Sequence, residues 1–335
     1  MSPPLIPATV LTGFLGSGKS TLLKRVLTEA HGQKIAVIEN EFGEENIDGE
    51  ILAGAGGEQI VQLSNGCICC TIRDDLRATL TDLADRRERG EIAFDRVMIE
   101  TTGLADPGPV AQTFFLDAAV AGRYRPDAVI TLVDAVHGMR QLDQRYEARQ
   151  QVGFADRLFI SKADLVSTDS VERLSARLTR INPRAPQRRV DFGQVALTEV
   201  FEVGGFNLTP DLEIGEPPPA ACEVGHTHEA GGHHHPHDDV GSFVFRADRP
   251  LHPGRFGQFL NAVVKSHGDR LLRYKGVLDM QGVDRKVIFQ GVHQLTSSDL
   301  GPPWAPDEAR RSTLVFIGLD LPQTLFFNSL RQCLV

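Results

Sequence analysis

The chain has 335 residues, of which 41% are hydrophobic and 24% are charged, and its formal net charge at neutral pH is -9. This length favours about two domains of ~150 residues each, and the composition is ordinary for a soluble globular protein. The negative charge argues against nucleic acid or an anionic membrane surface as the main partner. The sequence has no apolar run of about 20 residues and no basic, apolar signal peptide at its start, so we expect a cytoplasmic protein without a membrane partner.

The first part of the chain alternates short apolar segments with helical patterns. The apolar segments predict strands over residues 8–12, 34–39, 58–63, 94–100, 128–134 and 154–160. The helical spacing of leucines and other apolar residues predicts helices around 22–27, from Asp74 onward and over 109–121. This alternation predicts an α/β domain over residues 1–211, with a mostly parallel sheet covered on both faces. In such sheets ligands bind where the strands end.

The segment Gly-Phe-Leu-Gly-Ser-Gly-Lys-Ser at residues 13–20 matches the phosphate-binding pattern G-x-x-x-x-G-K-[ST] at every fixed position. A predicted strand precedes it and a predicted helix follows, which disfavours the alternative of a chance glycine-rich turn. Lys19 would reach the β- and γ-phosphates, and the Ser20 hydroxyl would ligate Mg²⁺. The residues predicted to bind nucleotide in this loop are Gly13, Gly16, Ser17, Gly18, Lys19, Ser20 and Thr21.

A second conspicuous segment, Glu-Thr-Thr-Gly at residues 100–103, ends a predicted buried strand. There Glu100 would hold Mg²⁺ through water or orient the attacking water, and the Gly103 N–H would meet the γ-phosphate. The alternative is a strand that simply ends at a polar turn. The phosphate loop favours the functional interpretation, so the predicted catalytic residues are Lys19, Ser20, Glu100 and Gly103.

Residues 161–164, Ser-Lys-Ala-Asp, are similar to the base-reading loop of GTPases, whose usual form is Asn-Lys-x-Asp. The predicted nucleotide-binding residues are Lys162 and Asp164. An aspartate that accepts two hydrogen bonds from the guanine edge would reject adenine, which lacks the matching donors. Ser161 replaces the usual asparagine, so one supporting contact of the guanine site is in question.

The sequence Cys67-Ile-Cys69-Cys70 follows a predicted strand and an Asn-Gly turn. In an extended chain Cys67 and Cys69 would face the same way, and Cys70 would join them if the chain turns. Three clustered thiolates suit Zn²⁺ or Cu⁺ and leave a fourth position open. The alternative is a set of small buried cysteines, but this density in a reducing compartment favours a metal site.

The rest of the chain changes character. Residues 212–241 are predicted to form an exposed Pro/His-rich linker, and residues 242–335 a smaller α+β domain. In this domain we predict strands over 242–245, 271–278, 286–290 and 313–317, a helix over 254–265 and a final helix near Pro322. The linker carries clustered imidazoles that would bind Zn²⁺, Ni²⁺ or Co²⁺ weakly: His226, His228, His233, His234, His235 and His237.

Five segments occur in this order along the chain: the phosphate loop, the acidic segment at 39–44, the cysteine cluster, Glu-Thr-Thr-Gly and Ser-Lys-Ala-Asp. Together they resemble the CobW family of metal-handling GTPases, and most closely its YjiA branch. The resemblance extends almost end to end. It implies a P-loop GTPase domain of the SIMIBI type, a CobW-type C-terminal domain, slow GTP hydrolysis with Mg²⁺, and a zinc site linked to the switch region. In that family the ligands would fall here on Cys67, Cys69, Cys70, Glu39 and Glu44.

We further expect hydrolysis to loosen the metal and allow its transfer to a client metalloprotein. Co²⁺ or Ni²⁺ in place of Zn²⁺, and a homodimer, are left open. Three alternatives stand beside this interpretation. One is a nucleotide-independent metal buffer that uses the histidine run, another is a cobalt-handling protein of cobalamin synthesis, and the third is a small-molecule kinase, which lacks an arginine-rich lid in this sequence.

Overall fold

The computed structural model describes residues 4–29, 32–40, 60–63, 72–206 and 240–335. The chain divides into two compact units, one of Met1–Val171 with Ala185–Asn207 and the other of Glu172–Arg184 with Leu208–Val335. In the helices of these described segments, no stretch is both long and apolar enough to cross a membrane.

The first unit is built on a parallel sheet in which the described strands follow the order β3-β2-β4-β1-β5-β6-β7. Its interior strands are almost continuously apolar because helices cover both faces, and the predicted α/β class is therefore confirmed. The strands are β1 (Ile6–Gly13), β2 (Ile35–Asn40), β3 (Ile60–Leu63), β4 (Arg96–Glu100), β5 (Tyr124–Asp134), β6 (Arg157–Ser161) and β7 (Gln187–Val190).

In the first unit, helices form where the sequence repeats apolar residues at helical spacing, as predicted. Leu76, Leu80 and Leu83 of α2 are buried, as are Leu22 and Leu23 of α1. The helices are α1 (Lys19–Thr28), α2 (Ile72–Glu88), α3 (Pro107–Leu116), α4 (Ala118–Ala121), α5 (Gly138–Gln144) and α6 (Tyr146–Phe154). Helix α7 (Thr168–Ile181) begins in the first unit, and its residues from Glu172 onward belong to the second.

The single helix predicted over 109–121 is two helices. Asp106 caps the first one by accepting a hydrogen bond from the Gly108 N–H at 2.8 Å, which moves the start to Pro107. Asp117 is extended and accepts from the N–H groups of Ala119 and Val120 at 2.9 and 3.0 Å. A side chain that caps a new helix start competes with continuation of the old helix, so the chain breaks at Asp117.

The second unit contains an antiparallel sheet of order β11-β10-β9-β12-β8. Its strands are β8 (Val240–Ala247), β9 (Leu271–Leu278), β10 (Arg285–Val292), β11 (Leu295–Pro303) and β12 (Ser312–Leu319), and its helices are α8 (Pro253–His267) and α9 (Gln323–Gln332). Aromatic rings fill the core: the ring centroid of Phe316 lies 5.1 Å from that of Phe326 and 5.4 Å from that of Phe243. The predicted smaller α+β fold is confirmed.

Candidate functional site

Three glycines shape the loop between β1 and α1. Gly13, Gly16 and Gly18 have φ angles of 142°, 75° and 96°, a region that disfavours residues with a side chain. At Gly13 there is also no room, because a Cβ would lie 2.4 Å from the Leu132 carbonyl oxygen and 2.8 Å from the Ser17 hydroxyl. The backbone can therefore curl tightly ahead of α1, which presents its N-terminal N–H groups as an anion site.

Lys19 and Ser20 begin α1 directly after this curl. Lys19 is 9% exposed, and its Nζ donates a hydrogen bond to the Gly13 carbonyl oxygen at 2.9 Å. Its ammonium is therefore held along the glycine loop. Ser20 is exposed, and its hydroxyl donates to Oε1 of Glu100 at 3.2 Å.

Two carboxylates stand side by side at the carboxyl edge of the sheet. In the parallel pair β2–β4, Glu39 is in register with Glu100, and Glu100 is in register with Leu11 of β1 on its other side. Neighbouring strands are about 4.8 Å apart, and residues in register present their side chains on the same face. Glu39 is 8% exposed. The sequence predicts both carboxylates but not that they are neighbours.

The segment after Glu100 is fixed to the phosphate loop. The Thr101 N–H donates to the Leu11 carbonyl oxygen at 3.0 Å, and the Thr101 hydroxyl donates to the Thr12 hydroxyl at 2.8 Å. Gly103 then approaches Leu15 so closely that a Cβ would lie 2.6 Å from both the Leu15 nitrogen and its side chain. Only glycine fits at this approach.

Residues 161–164 also contact the phosphate loop. Lys162 has a φ of 57°, and its Nζ donates to the Gly16 carbonyl oxygen at 2.8 Å and to Asp134 at 2.7 Å. Ser161 is buried, and its hydroxyl donates to the Ser17 carbonyl oxygen at 2.7 Å. Asp164 lies exposed in the short 3₁₀ turn that follows. Ser161 thus ties this segment to the phosphate loop with its own shorter side chain.

Sequence reasoning missed Asp134 as a part of this site. Its side chain is fully buried at the end of β5, its Oδ1 accepts from the Val136 and His137 N–H groups at 2.7 and 3.2 Å, and its Oδ2 pairs with Lys162. A carboxylate at the ligand edge of a continuous apolar strand is the signal that could have identified it.

Most of the predicted metal ligands lie outside the described residues. These are Glu44, Cys67, Cys69, Cys70, His226, His228, His233, His234, His235 and His237. Within the part of the chain that the structure describes, no group of three or more His, Cys, Asp or Glu side chains is arranged to hold a metal ion.

The site combines a curled glycine loop at the start of α1, a lysine along that loop, a serine hydrogen-bonded to a strand-end carboxylate, and a glycine in close contact with the loop. These features define a P-loop nucleotide hydrolase. Lys162 and Asp164, the residues predicted to read a guanine base, follow β6 in the same unit.

Comparison with known proteins identifies the family. Residues 7–189 match the family described as CobW/HypB/UreG, nucleotide-binding domain, and residues 240–334 match the cobalamin synthesis protein cobW C-terminal domain. The chain is 43% identical over 318 residues to the zinc chaperone YjiA of Escherichia coli, with 95% of each protein covered. It is 30% identical to the zinc-regulated GTPase metalloprotein activator 1 of Dictyostelium discoideum, covering 98% of this chain and 80% of that protein.

A solved structure gives the same result in three dimensions. The zinc-bound YjiA GTPase of E. coli matches with a TM-score of 0.78 and 36% sequence identity, covering 99% of both chains. The protein is a GTP hydrolase with a P-loop, and it belongs to the CobW family.

Proposed function

We propose that this GTPase is a metallochaperone that binds Zn²⁺ through Cys67, Cys69 and Cys70 and delivers it to a client metalloprotein. Glu39 and Glu44 are the proposed carboxylate ligands, and the nucleotide state controls how tightly the metal is held. Relatives named as a zinc chaperone and as a zinc-regulated activator of metalloproteins support this choice of metal and of partner.

The observation that carries the proposal is the register of Glu39 with Glu100. Glu100 accepts the Ser20 hydroxyl, so it belongs to the nucleotide site, whereas Glu39 opens the segment that leads to Glu44. The backbones of the two residues are separated by one strand spacing of about 4.8 Å. A change in the charge or position of groups around Glu100 would therefore change the electrostatic environment of Glu39.

In the sequence the cysteine cluster stands between β3 and α2. Cys67 follows the last residue of β3, Leu63, by four positions, and Cys70 precedes the first residue of α2, Ile72, by two. Strand β3 pairs with β2, where Glu39 is opposite Gln62.

The nucleotide would be held by groups that the loop already orders. Lys19 would face the β- and γ-phosphates, and Lys162 and Asp164 would receive the guanine base. Ser20 and Glu100, which share a hydrogen bond, fit a Mg²⁺ ion through hydroxyl and carboxylate oxygens. When bound, Mg²⁺ supplies positive charge to the phosphate oxygens. Glu100 would orient the attacking water.

The alternatives predict different metal behaviour. A nucleotide-independent buffer would hold its metal on the histidine run, and a cobalt-handling protein would prefer Co²⁺ over Zn²⁺. The ordered Lys19 and the Ser20–Glu100 pair favour a working nucleotide site over a buffer. A small-molecule kinase would transfer phosphate from GTP to an acceptor other than water.

The experiment is a chelator competition with Zn²⁺ and, in parallel, with Co²⁺. We expect the wild type to show one tight Zn²⁺ site, and we expect deletion of residues 222–239 to keep that site. The combined Cys67→Ala, Cys69→Ala and Cys70→Ala variant should bind Zn²⁺ at least about 100-fold more weakly, since losing even a supporting group of a metal ligand costs 10–100-fold in affinity. Cys333→Ala is the matched control, because that cysteine is buried in the other unit. A tight site that survives in the triple variant and disappears with residues 222–239 would contradict the proposal.

A further inference from the structure

Gln151 of α6 contacts the segment that follows Glu100. Its side chain is only 1% exposed. Its Nε2 donates hydrogen bonds to the carbonyl oxygens of Gly103 and Ala105, both at 3.1 Å. A primary amide has two N–H donors, so both are used on this one segment. The Gln151 backbone carbonyl accepts from the Thr131 hydroxyl at 2.8 Å, which fixes α6 to β5.

The segment held in this way is a tight turn. The Ala105 N–H donates to the Thr102 carbonyl oxygen at 3.1 Å and closes residues 102–105. In a planar trans peptide the C=O and N–H point in opposite directions. The bond to the Thr102 oxygen therefore turns the Gly103 N–H away from the inside of the turn. We call residues 102–105 the Gly103 turn.

The Gly103 turn is confined from two sides. On one side Gly103 touches Leu15 of the phosphate loop, with no space for a Cβ. On the other side the Gln151 amide holds the carbonyls of residues 103 and 105. Gln151 also lines a cavity of about 10 Å³ together with Phe14 of the phosphate loop and Thr131. Gln151 therefore contacts the Gly103 turn and lines a cavity that Phe14 of the phosphate loop also lines.

The neighbouring Gln150 makes a different contact, although it is the same residue type, lies on the same helix and is also buried. Its Nε2 donates to the Asp106 carboxylate at 3.3 Å, and Asp106 caps the start of α3. Gln150 thus supports a helix end, and Gln151 supports the Gly103 turn. The pair provides a matched control within the chain.

We propose that Gln151 is a positioning residue for GTP hydrolysis: its amide fixes the Gly103 turn against the phosphate loop and so sets the preference for GTP over GDP. Releasing the buried Gly103 carbonyl and the half-buried Ala105 carbonyl would allow the turn to tilt, and the Gly103 N–H would lose its alignment. GDP lacks the γ-phosphate, so its binding does not depend on this alignment. The inference rests on the proposed GTPase function and on the predicted contact of the Gly103 N–H with the γ-phosphate.

The test compares Gln151→Met, which keeps the length of the side chain and removes both donors, with Gln150→Met. We measure the affinities of the full chain for GDP and for a non-hydrolysable GTP analogue, together with kcat. For Gln151→Met we expect about a tenfold loss of analogue affinity, in the usual range of such couplings, with a similar fall in kcat and GDP affinity within about twofold. Gln150→Met should leave the ratio of analogue to GDP affinity unchanged.

An unchanged ratio in Gln151→Met would overturn the inference. If that variant fails to fold, as shown by circular dichroism, Gln151→Asn decides by the same ratio, because it keeps the donors on a shorter side chain that cannot reach both carbonyls. Gly103→Ala separates the two ideas. If it leaves the ratio unchanged, the proposed role of Gly103 fails. If it lowers the ratio and the Gln151 variants do not, only the role of Gln151 fails.

Discussion

Replacing Lys19 with alanine is expected to lower kcat for GTP hydrolysis by about 10²–10³-fold, the cost of removing one preorganised group from a charged transition state. Lys19 is buried along the glycine loop, and its Nζ is fixed by the Gly13 carbonyl at 2.9 Å. Its remaining donors would face the phosphates, where negative charge is redistributed during transfer. Steady-state release of inorganic phosphate measures the effect.

Lys24→Ala is the matched control for this prediction. Lys24 lies on the same helix, five positions later, and is exposed. Its removal changes the net charge by the same amount without touching the loop, so kcat should stay within about twofold, as is usual for an exposed side chain away from a site. A Lys19→Ala variant that keeps more than about a tenth of the wild-type kcat would contradict the role given to Lys19.

The second large effect concerns stability, away from the nucleotide site. Asp127 of β5 is fully buried and accepts hydrogen bonds from the N–H groups of Glu202 and Gly204, both at 2.9 Å. Its Oδ2 lies 3.9 Å from Nη1 of Arg96, which is also buried and stacks 4.0 Å above the Phe201 ring. Burial lowers the pKa of Arg96, and the carboxylates of Asp127 and Glu202 oppose that shift.

Asp127→Ala is therefore expected to destabilise the first unit by about 3 kcal/mol, the lower end of the usual cost of removing one partner of a buried ion pair, because Arg96 keeps the exposed Glu202 carboxylate at 3.9 Å. The variant also removes the acceptor of two backbone N–H groups that hold residues 202–204 to the sheet. Calorimetry of the full chain, following the transition that moves when GDP is added, measures the loss. Asp169→Ala is the control, because Asp169 is exposed at the start of α7. A loss below about 1 kcal/mol in Asp127→Ala would contradict this account of the pair.

Much of this fold could be predicted because the signals are local. Continuous apolar runs such as the one ending at Asp134 mark strands buried on both faces, and the glycine loop fixes its own backbone. The strand β11 was missed for the opposite reason. It is an exposed edge strand with a polar sequence that ends in Pro303, so neither alternation nor an apolar run marks it.

The contacts that connect the site depend on residues far apart in sequence, and no spacing predicts them. The sequence indicates that Ser161 departs from the usual asparagine, but not that its hydroxyl reaches Ser17. The adjacency of Glu39 and Glu100 depends on the order of the strands. The hold of Gln151 on the Gly103 turn depends on how α6 packs. Each of these required the tertiary structure.

We propose that nucleotide binding and metal binding are coupled at the carboxyl edge of the parallel sheet, where Glu39 and Glu100 are in register. The most direct test of this proposal is the Zn²⁺ affinity of a chain lacking residues 222–239, measured by chelator competition with GDP and with a non-hydrolysable GTP analogue. We expect the two affinities to differ by about 5–150-fold, the usual range of such coupling, and Zn²⁺ to change the ratio of analogue affinity to GDP affinity by the same factor. Equal Zn²⁺ affinities in the two nucleotide states would contradict the account.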